Sequence, residues 1–228
     1  MAMRNNAVIY VAGHAGLIGL AVLRRLERDG YRGLIMRGRN QLDLQDGGRV
    51  AEFFDEVHPD YVVLAAGRVG EIIENQIFPA DFMDENIAIQ LNVLQAARKA
   101  DVRKLIFFGS SYMYPRECPQ PMAEDALLSG KPEPTSLPYA IPKLAGTYMC
   151  FAYNKQDQVT RFIPVIPNSA YGPHDNFDTK SSHVLSALMA RFHQAKVSGQ
   201  NPSRCGGAVL RDGSSFMQTI LRMRACIC

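Results

Sequence analysis

No apolar run in the 228-residue chain approaches the roughly 18–20 residues that cross a bilayer. Its start, Met1-Ala2-Met3-Arg4-Asn5-Asn6, lacks the apolar core and cleavage pattern of a secretory leader. Five cysteines without regular spacing argue against a disulfide scaffold and against a zinc centre. These absences predict a protein of a reducing cytoplasm with no metal and no membrane partner. Basic surface is scarce too. The net charge of +3 arises wholly after Lys196, where Arg204, Arg211, Arg222 and Arg224 oppose only Asp212. The preceding stretch is neutral, so nothing suggests nucleic acid. Internal repeats and low-complexity stretches are also missing. What remains, 47% hydrophobic and 21% charged, is the composition of a globular protein. The length suits one large domain, or one domain and part of another.

The apolar pattern alternates strands and helices. Ala7-Val-Ile-Tyr-Val-Ala-Gly13 reads as a strand buried on both faces. Leu17 to Asp29 has helical spacing, with Gly30 just past its end. Strands are expected at Leu34–Arg37, Tyr61–Ala66, Lys104–Phe108 and Arg161–Ile166, the last irregular or at an edge because of Pro164. Helices are expected at Gly48–Val57, Pro79–Ala100, Pro138–Asn154 and Ser182–Lys196. Such alternation predicts an α/β fold with a doubly wound parallel sheet. The long proline-rich loop from Pro115 to Pro138 reads as functional.

Gly13-His14-Ala15-Gly16-Leu17-Ile18-Gly19 joins the first strand to the first helix. Glycines there let backbone approach a pyrophosphate, and the helix N-terminus offers unpaired N–H groups and a positive dipole. A dinucleotide is therefore expected, in a Rossmann domain. Sites for NAD usually place an acid after the second strand, to bind the ribose 2′-hydroxyl. This chain has Arg37 and Arg39 instead, which suit the 2′-phosphate of NADP. Asp43 and Leu44 follow, toward the adenine side. Ala65-Ala66-Gly67 would pass under the nicotinamide ribose. Tyr139 and Lys143, four apart, share a helix face. An ammonium near a phenol favours the tyrosinate, and a serine at 110 could hold a carbonyl or alkoxide oxygen. These groups suit proton transfer coupled to hydride transfer at a sugar or alcohol carbon. Asn86 reads either as a cap or as part of that network.

From Val8 to Lys196 the chain resembles the GDP-L-fucose synthase family of extended short-chain dehydrogenases/reductases. The resemblance rests on V-A-G-H-x-G, P-A-D-F, G-S-S-x-x-Y-P, Q-P-M-A-E, E-P-T-x-x-P-Y-A-I, Y-G-P-H-D-N-F and S-H-V-x-x-A-L. It implies reduction, with 3,5-epimerisation, of GDP-4-keto-6-deoxy-mannose to GDP-L-fucose with NADPH. Ser110, Tyr139 and Lys143 would form the reductase set and His183 the epimerisation acid. Tyr139, Lys143 and His183 would also border the cofactor, and Arg191 would lie by the substrate's phosphates and sugar. By the same analogy the full-length protein is a homodimer, paired through Pro79–Ala100 and the Tyr139 helix.

Four departures bear on these expectations. Tyr112 occupies the position where the family usually has a cysteine as epimerisation base, which leaves a 4-reductase or 4-epimerase without 3,5-epimerisation as the alternative. Ala15 stands where an arginine often approaches the 2′-phosphate. Ser169 replaces an asparagine. Pro142 interrupts the Tyr139–Lys143 helix, tolerable only if that helix starts near Pro138.

Three regions are expected: an NADP-binding Rossmann domain at 1–170, the start of a substrate-binding region at 171–196, and an aberrant tail at 197–228. The tail's permitted codons allow a shifted frame that reads like the family's continuation, so a frameshift is expected there. The corresponding expectation is an incomplete C-terminal substrate domain, low solubility, weak turnover and, at the limit, an inactive fragment.

Overall fold

The computed structural model describes residues 3–70, 72–168, 170–178 and 184–199. The chain divides into two compact units, the first Met1–Asp175 and the second beginning at Asn176. The first unit holds a five-stranded parallel sheet. Its strands are β1 (Val8–Ala12), β2 (Gly33–Ile35), β3 (Tyr61–Leu64), β4 (Lys104–Phe108) and β5 (Phe162–Val165), in the order β2-β1-β3-β4-β5. The helices are α1 (Leu17–Arg28), α2 (Gly47–Val57), α3 (Ile72–Ile77), α4 (Pro79–Lys99) and α5 (Leu137–Asp157). In the second unit, α6 runs Val184–Ser198.

Two-residue alternation along β1 explains the layering. Tyr10 and Ala12 face one core with Phe53 and Phe54 of α2, Val93, Leu94 and Ala97 of α4, and Cys150 of α5. Ile9 and Val11 face a second core with Leu20, Leu23 and Leu26 of α1. Burial on both faces is what makes the strand a continuous apolar run. Asp46 starts α2 by accepting a hydrogen bond from the Arg49 amide at 3.1 Å. The Tyr10 ring packs on Phe53 at 4.7 Å and on Phe54 at 6.1 Å.

The expected strands and helices of the first unit are all present. β5 is indeed the edge of the described sheet, with Pro164 in register with Phe107. Helix α3 was not expected. The Pro115–Pro138 segment contains two short 3-10 turns, at 124–126 and 134–136. Because β2 and β3 flank β1 on opposite sides, the chain reverses direction across the sheet between β1 and β3. A doubly wound sheet opens a ligand crevice at that reversal, outside the carboxyl ends of its strands.

Candidate functional site

The glycine loop sits at that crevice. Gly13 leaves β1 at φ +83°, and a Cβ there would lie 2.6 Å from the Ala66 amide nitrogen. A Cβ on Gly19 would lie 2.1 Å from the Gly13 carbonyl oxygen. The turn therefore requires bare backbone at both positions, as the spacing implied. Gly16 is the N-cap of α1 in extended conformation, without a side-chain cap, and the first turn holds no acidic residue. An anion meets no competitor there. His14 Nδ1 is buried with no hydrogen-bond partner among the described residues. An uncapped helix start beside an orphaned buried nitrogen and side-chain-free backbone fits a pyrophosphate.

The end of β2 is basic, as expected. Arg37 lies over the Phe53 ring at 5.7 Å and donates to the Met36 carbonyl at 2.8 Å. The Arg39 side chain is 68% exposed, and Asp43 at 3.7 Å and Glu85 at 3.9 Å hold it only loosely. Such exposed pairs contribute little and yield readily to a phosphate. Asp43 also accepts from the Gln45 amide at 3.0 Å. Leu44 packs against the first core, and its carbonyl accepts from Asn92 at 2.9 Å.

Ser110 follows β4 in extended conformation and caps a 3-10 turn, Ser111–Met113, accepting from the Tyr112 amide at 3.3 Å. Its hydroxyl lies beside the Tyr139 phenol and favours that group's ionised form. Burial pushes the Tyr139 phenol up to about 12, against the smaller opposing effect of the Ser110 hydroxyl. Lys143 is also buried, and desolvation brings its ammonium down to about 8. Its Nζ donates to the Phe108 carbonyl at 3.1 Å and lies 5.9 Å from the Tyr139 ring centroid. Desolvation, not mutual attraction, thus sets the protonation of both groups in the free protein. The four-residue spacing implies a Lys143 charge that favours the tyrosinate, and burial opposes that ionisation in the free protein.

Pro142 is accommodated within α5, which starts at Leu137 with Pro138 in its first turn. Tyr112 stands edge-on to Tyr139, with ring centroids 6.3 Å apart at 83°. The Ala65–Gly67 strand end closes the group from the β3 side. A side chain on Gly67 would meet Asn86 Oδ1 at 2.8 Å and Lys143 Nζ at 3.5 Å. Asn86 itself is a backbone clamp. It accepts from the Arg68 amide at 3.0 Å and donates to the carbonyls of Arg68 at 3.0 Å and Phe82 at 2.8 Å.

The structure therefore brings the glycine loop, Ala65–Gly67, Ser110, Tyr139 and Lys143 to one edge of the sheet. Arg191 lies on α6 in the second unit. His183, Ser169 and the tail from residue 200 fall outside the described residues. Among the described residues no group of side chains could hold a metal ion, and no helix is long and apolar enough to cross a membrane.

A sequence profile of the NAD dependent epimerase/dehydratase family matches residues 9–215. The chain belongs to that family. It is 46% identical over 187 residues to the GDP-L-fucose synthase of Escherichia coli (strain K12), a match covering 82% of this chain and 58% of that relative. Two solved structures from Campylobacter jejuni extend the likeness. One is a GDP-D-glycero-L-gluco-heptose synthase in the presence of NADPH, with TM-score 0.82, 40% identity, and 86% of this chain and 57% of that one covered. The other is a GDP-mannoheptose C4 reductase with NADP bound, with TM-score 0.78, 39% identity, and coverage of 86% and 60%. The chain thus spans a little under 60% of the curated relative's length.

The Phe108 carbonyl that receives Lys143 was invisible in sequence. Asn86, which the sequence offers as a cap or as part of the catalytic network, clamps backbone at Arg68 and Phe82, a role no local pattern records.

Proposed function

We propose that the chain carries the cofactor-binding and catalytic part of a GDP-sugar C4 reductase, with NADP(H) as cofactor and a GDP-4-keto-6-deoxyhexose as substrate. The Ser110 hydroxyl and the Tyr139 phenol side by side, next to a buried Lys143 at the crevice of a glycine-loop sheet, carry this reading. NADPH, when bound, supplies a hydride. Tyr139 gives a proton to the C4 oxygen, and Ser110 holds that oxygen through its hydroxyl. Lys143, mostly protonated at neutral pH, is the charge close enough to stabilise the tyrosinate left behind. The amides at the start of α1 hold the pyrophosphate, and Arg37 and Arg39 bind the 2′-phosphate. Asp43 and Leu44 border the adenine side. Arg191 is assigned to the sugar and phosphates of the substrate, and His183 to the border of the cofactor, where it would be the acid if epimerisation occurs. Residues 1–170 form the cofactor domain, 171–196 begin the substrate region, and 197–228 form a tail, into which the family match extends as far as residue 215.

Tyr112 favours reduction without 3,5-epimerisation. A phenol edge-on to Tyr139 stands where a basic thiolate would be needed, and the likeness to a C4 reductase agrees. With deuterated NADPH and GDP-4-keto-6-deoxy-mannose, we expect one deuteron at C4 of the product. In heavy water, C3 and C5 should remain protiated. Exchange at C3 and C5 would restore the epimerase reading, and no transfer to C4 would remove both.

The same reading includes a homodimer formed through α4 and α5. Ile87, Ile141, Tyr148 and Phe151 are all at least 39% exposed on this adjacent helix pair, an apolar face suited to a second copy.

A further inference from the structure

Pro142 raises a specific problem. It lies inside α5, one residue before Lys143 and three after Tyr139. A proline there cannot donate to the carbonyl four residues back, and its ring crowds that carbonyl, so the turn linking the two groups loses part of its ladder. Such a turn is free to kink, and a kink would rotate Tyr139 away from Lys143.

A side chain from the neighbouring helix meets this turn. Gln90, on α4, is 4% exposed. Its Nε2 donates to the Pro142 carbonyl at 2.5 Å, across 52 residues of sequence. Gly146, one turn further along α5, opens the space for it. A Cβ at Gly146 would lie 2.7 Å from Gln90 Oε1 and 2.5 Å from the Phe107 ring. That Oε1 has no hydrogen-bond partner among the described residues. A buried amide with one end left unsatisfied carries a cost, so a purely space-filling role would be better served by an apolar side chain.

We propose that Gln90 is a positioning residue: its amide ties the proline-weakened turn of α5 to α4 and so fixes Tyr139 against Lys143. Gln90 is buried against Pro142 and Gly146 of α5, so the role assigned to it acts through Tyr139 and Lys143. The role rests on the assignment of Tyr139 and Lys143 as the reducing pair. Its structural half, that Gln90 holds the turn, is measurable without turnover.

Hydrogen exchange of the whole chain, read by mass spectrometry, tests that half. Gln90→Met keeps length and volume and removes the donor. Exchange is expected to rise in peptides covering residues 139–147 and to stay unchanged in peptides from β1 and α2. The Pro142→Ala variant restores the missing backbone N–H, so Gln90→Met in that background should leave 139–147 protected. An equal rise with and without Pro142, or a rise spread over the whole unit, would overturn the proposal.

Turnover provides the second arm. Gln90→Met should lower kcat by roughly ten- to a hundred-fold, the scale of a displacement near 1 Å, while KM for NADPH stays within about two-fold. In the Pro142→Ala background the loss should shrink to about three-fold or less. Equal losses in both backgrounds, or a kcat unchanged by Gln90→Met, refute the positioning role. If the wild-type chain shows no C4 reduction, the functional reading fails, and the exchange arm still decides whether Gln90 holds the turn.

Discussion

Replacing Lys143 with methionine should make the protein more stable at neutral pH while removing the charge on which the proposed reduction would depend. The buried ammonium falls from its ordinary 10.5 to about 8 because burial penalises the charged form. Holding it protonated therefore costs about 3 kcal/mol at pH 7. The sign follows from proton counting. Below pH 8 folded and unfolded chains are both protonated at this site, and the penalty is fully present. Between pH 8 and 10.5 the unfolded chain holds a proton that the folded one has released, so stability rises with pH. Lys143→Met removes the penalty but leaves the Phe108 carbonyl without its donor, a loss of roughly 1–2 kcal/mol. The variant should be about 1–2 kcal/mol more stable than wild type at pH 7, and the difference should reverse by pH 10. Tyr139 and Cys150, each pushed up to about 12 by burial, destabilise the fold at alkaline pH equally in both proteins and cancel in the comparison. Urea denaturation of both chains from pH 6.5 to 10 measures this. A pH-independent difference, or a variant less stable at pH 7, would refute desolvation as the dominant influence on Lys143.

Other substitutions address other parts of the account. Gly13→Val forces a β-branched residue to φ +83° and against the Ala66 backbone, so cofactor binding should vanish and stability should fall by more than about 2 kcal/mol, read by titration and thermal melting. Asn86→Ala frees the Arg68 amide and carbonyl, and should cost about 2–3 kcal/mol in chemical denaturation. Tyr148→Glu with Phe151→Lys should convert a dimer to monomers in sedimentation velocity without altering the melting of the first unit. A wild-type chain that sediments as a monomer removes the dimer outright.

How much of this was legible in sequence depended on distance along the chain. The order of strands and helices was readable because burial imposes local periodicity, and β4 was placed to the residue at Lys104–Phe108. The glycine loop was readable because its constraint, bare backbone at Gly13 and Gly19, is written in seven consecutive residues. Helix α3 was missed because six residues cannot establish a period. Ser110 and Tyr139 could be paired from motif alone, but the balance of their electrostatics could not. It depends on Phe107 and Phe108, which arrive from β4 and desolvate Lys143, 35 residues further on. The Gln90–Pro142 tie spans 52 residues and joins two side-by-side helices whose register no local pattern records. Long-range polar contacts were thus the hidden part, and they tie the turn that carries Tyr139 and Lys143 to β4 and α4.

Titration of the chain with NADPH and NADH, followed by cofactor fluorescence, tests the central claim most directly. It needs only the glycine loop, the end of β2 and the Ala65–Gly67 strand end. The account predicts saturable binding with NADPH at least about ten-fold tighter than NADH, the scale of one charge-assisted contact to the 2′-phosphate. That ratio should collapse when Arg37 and Arg39 are both replaced by serine. No saturable binding, or equal affinity for the two cofactors, would contradict it.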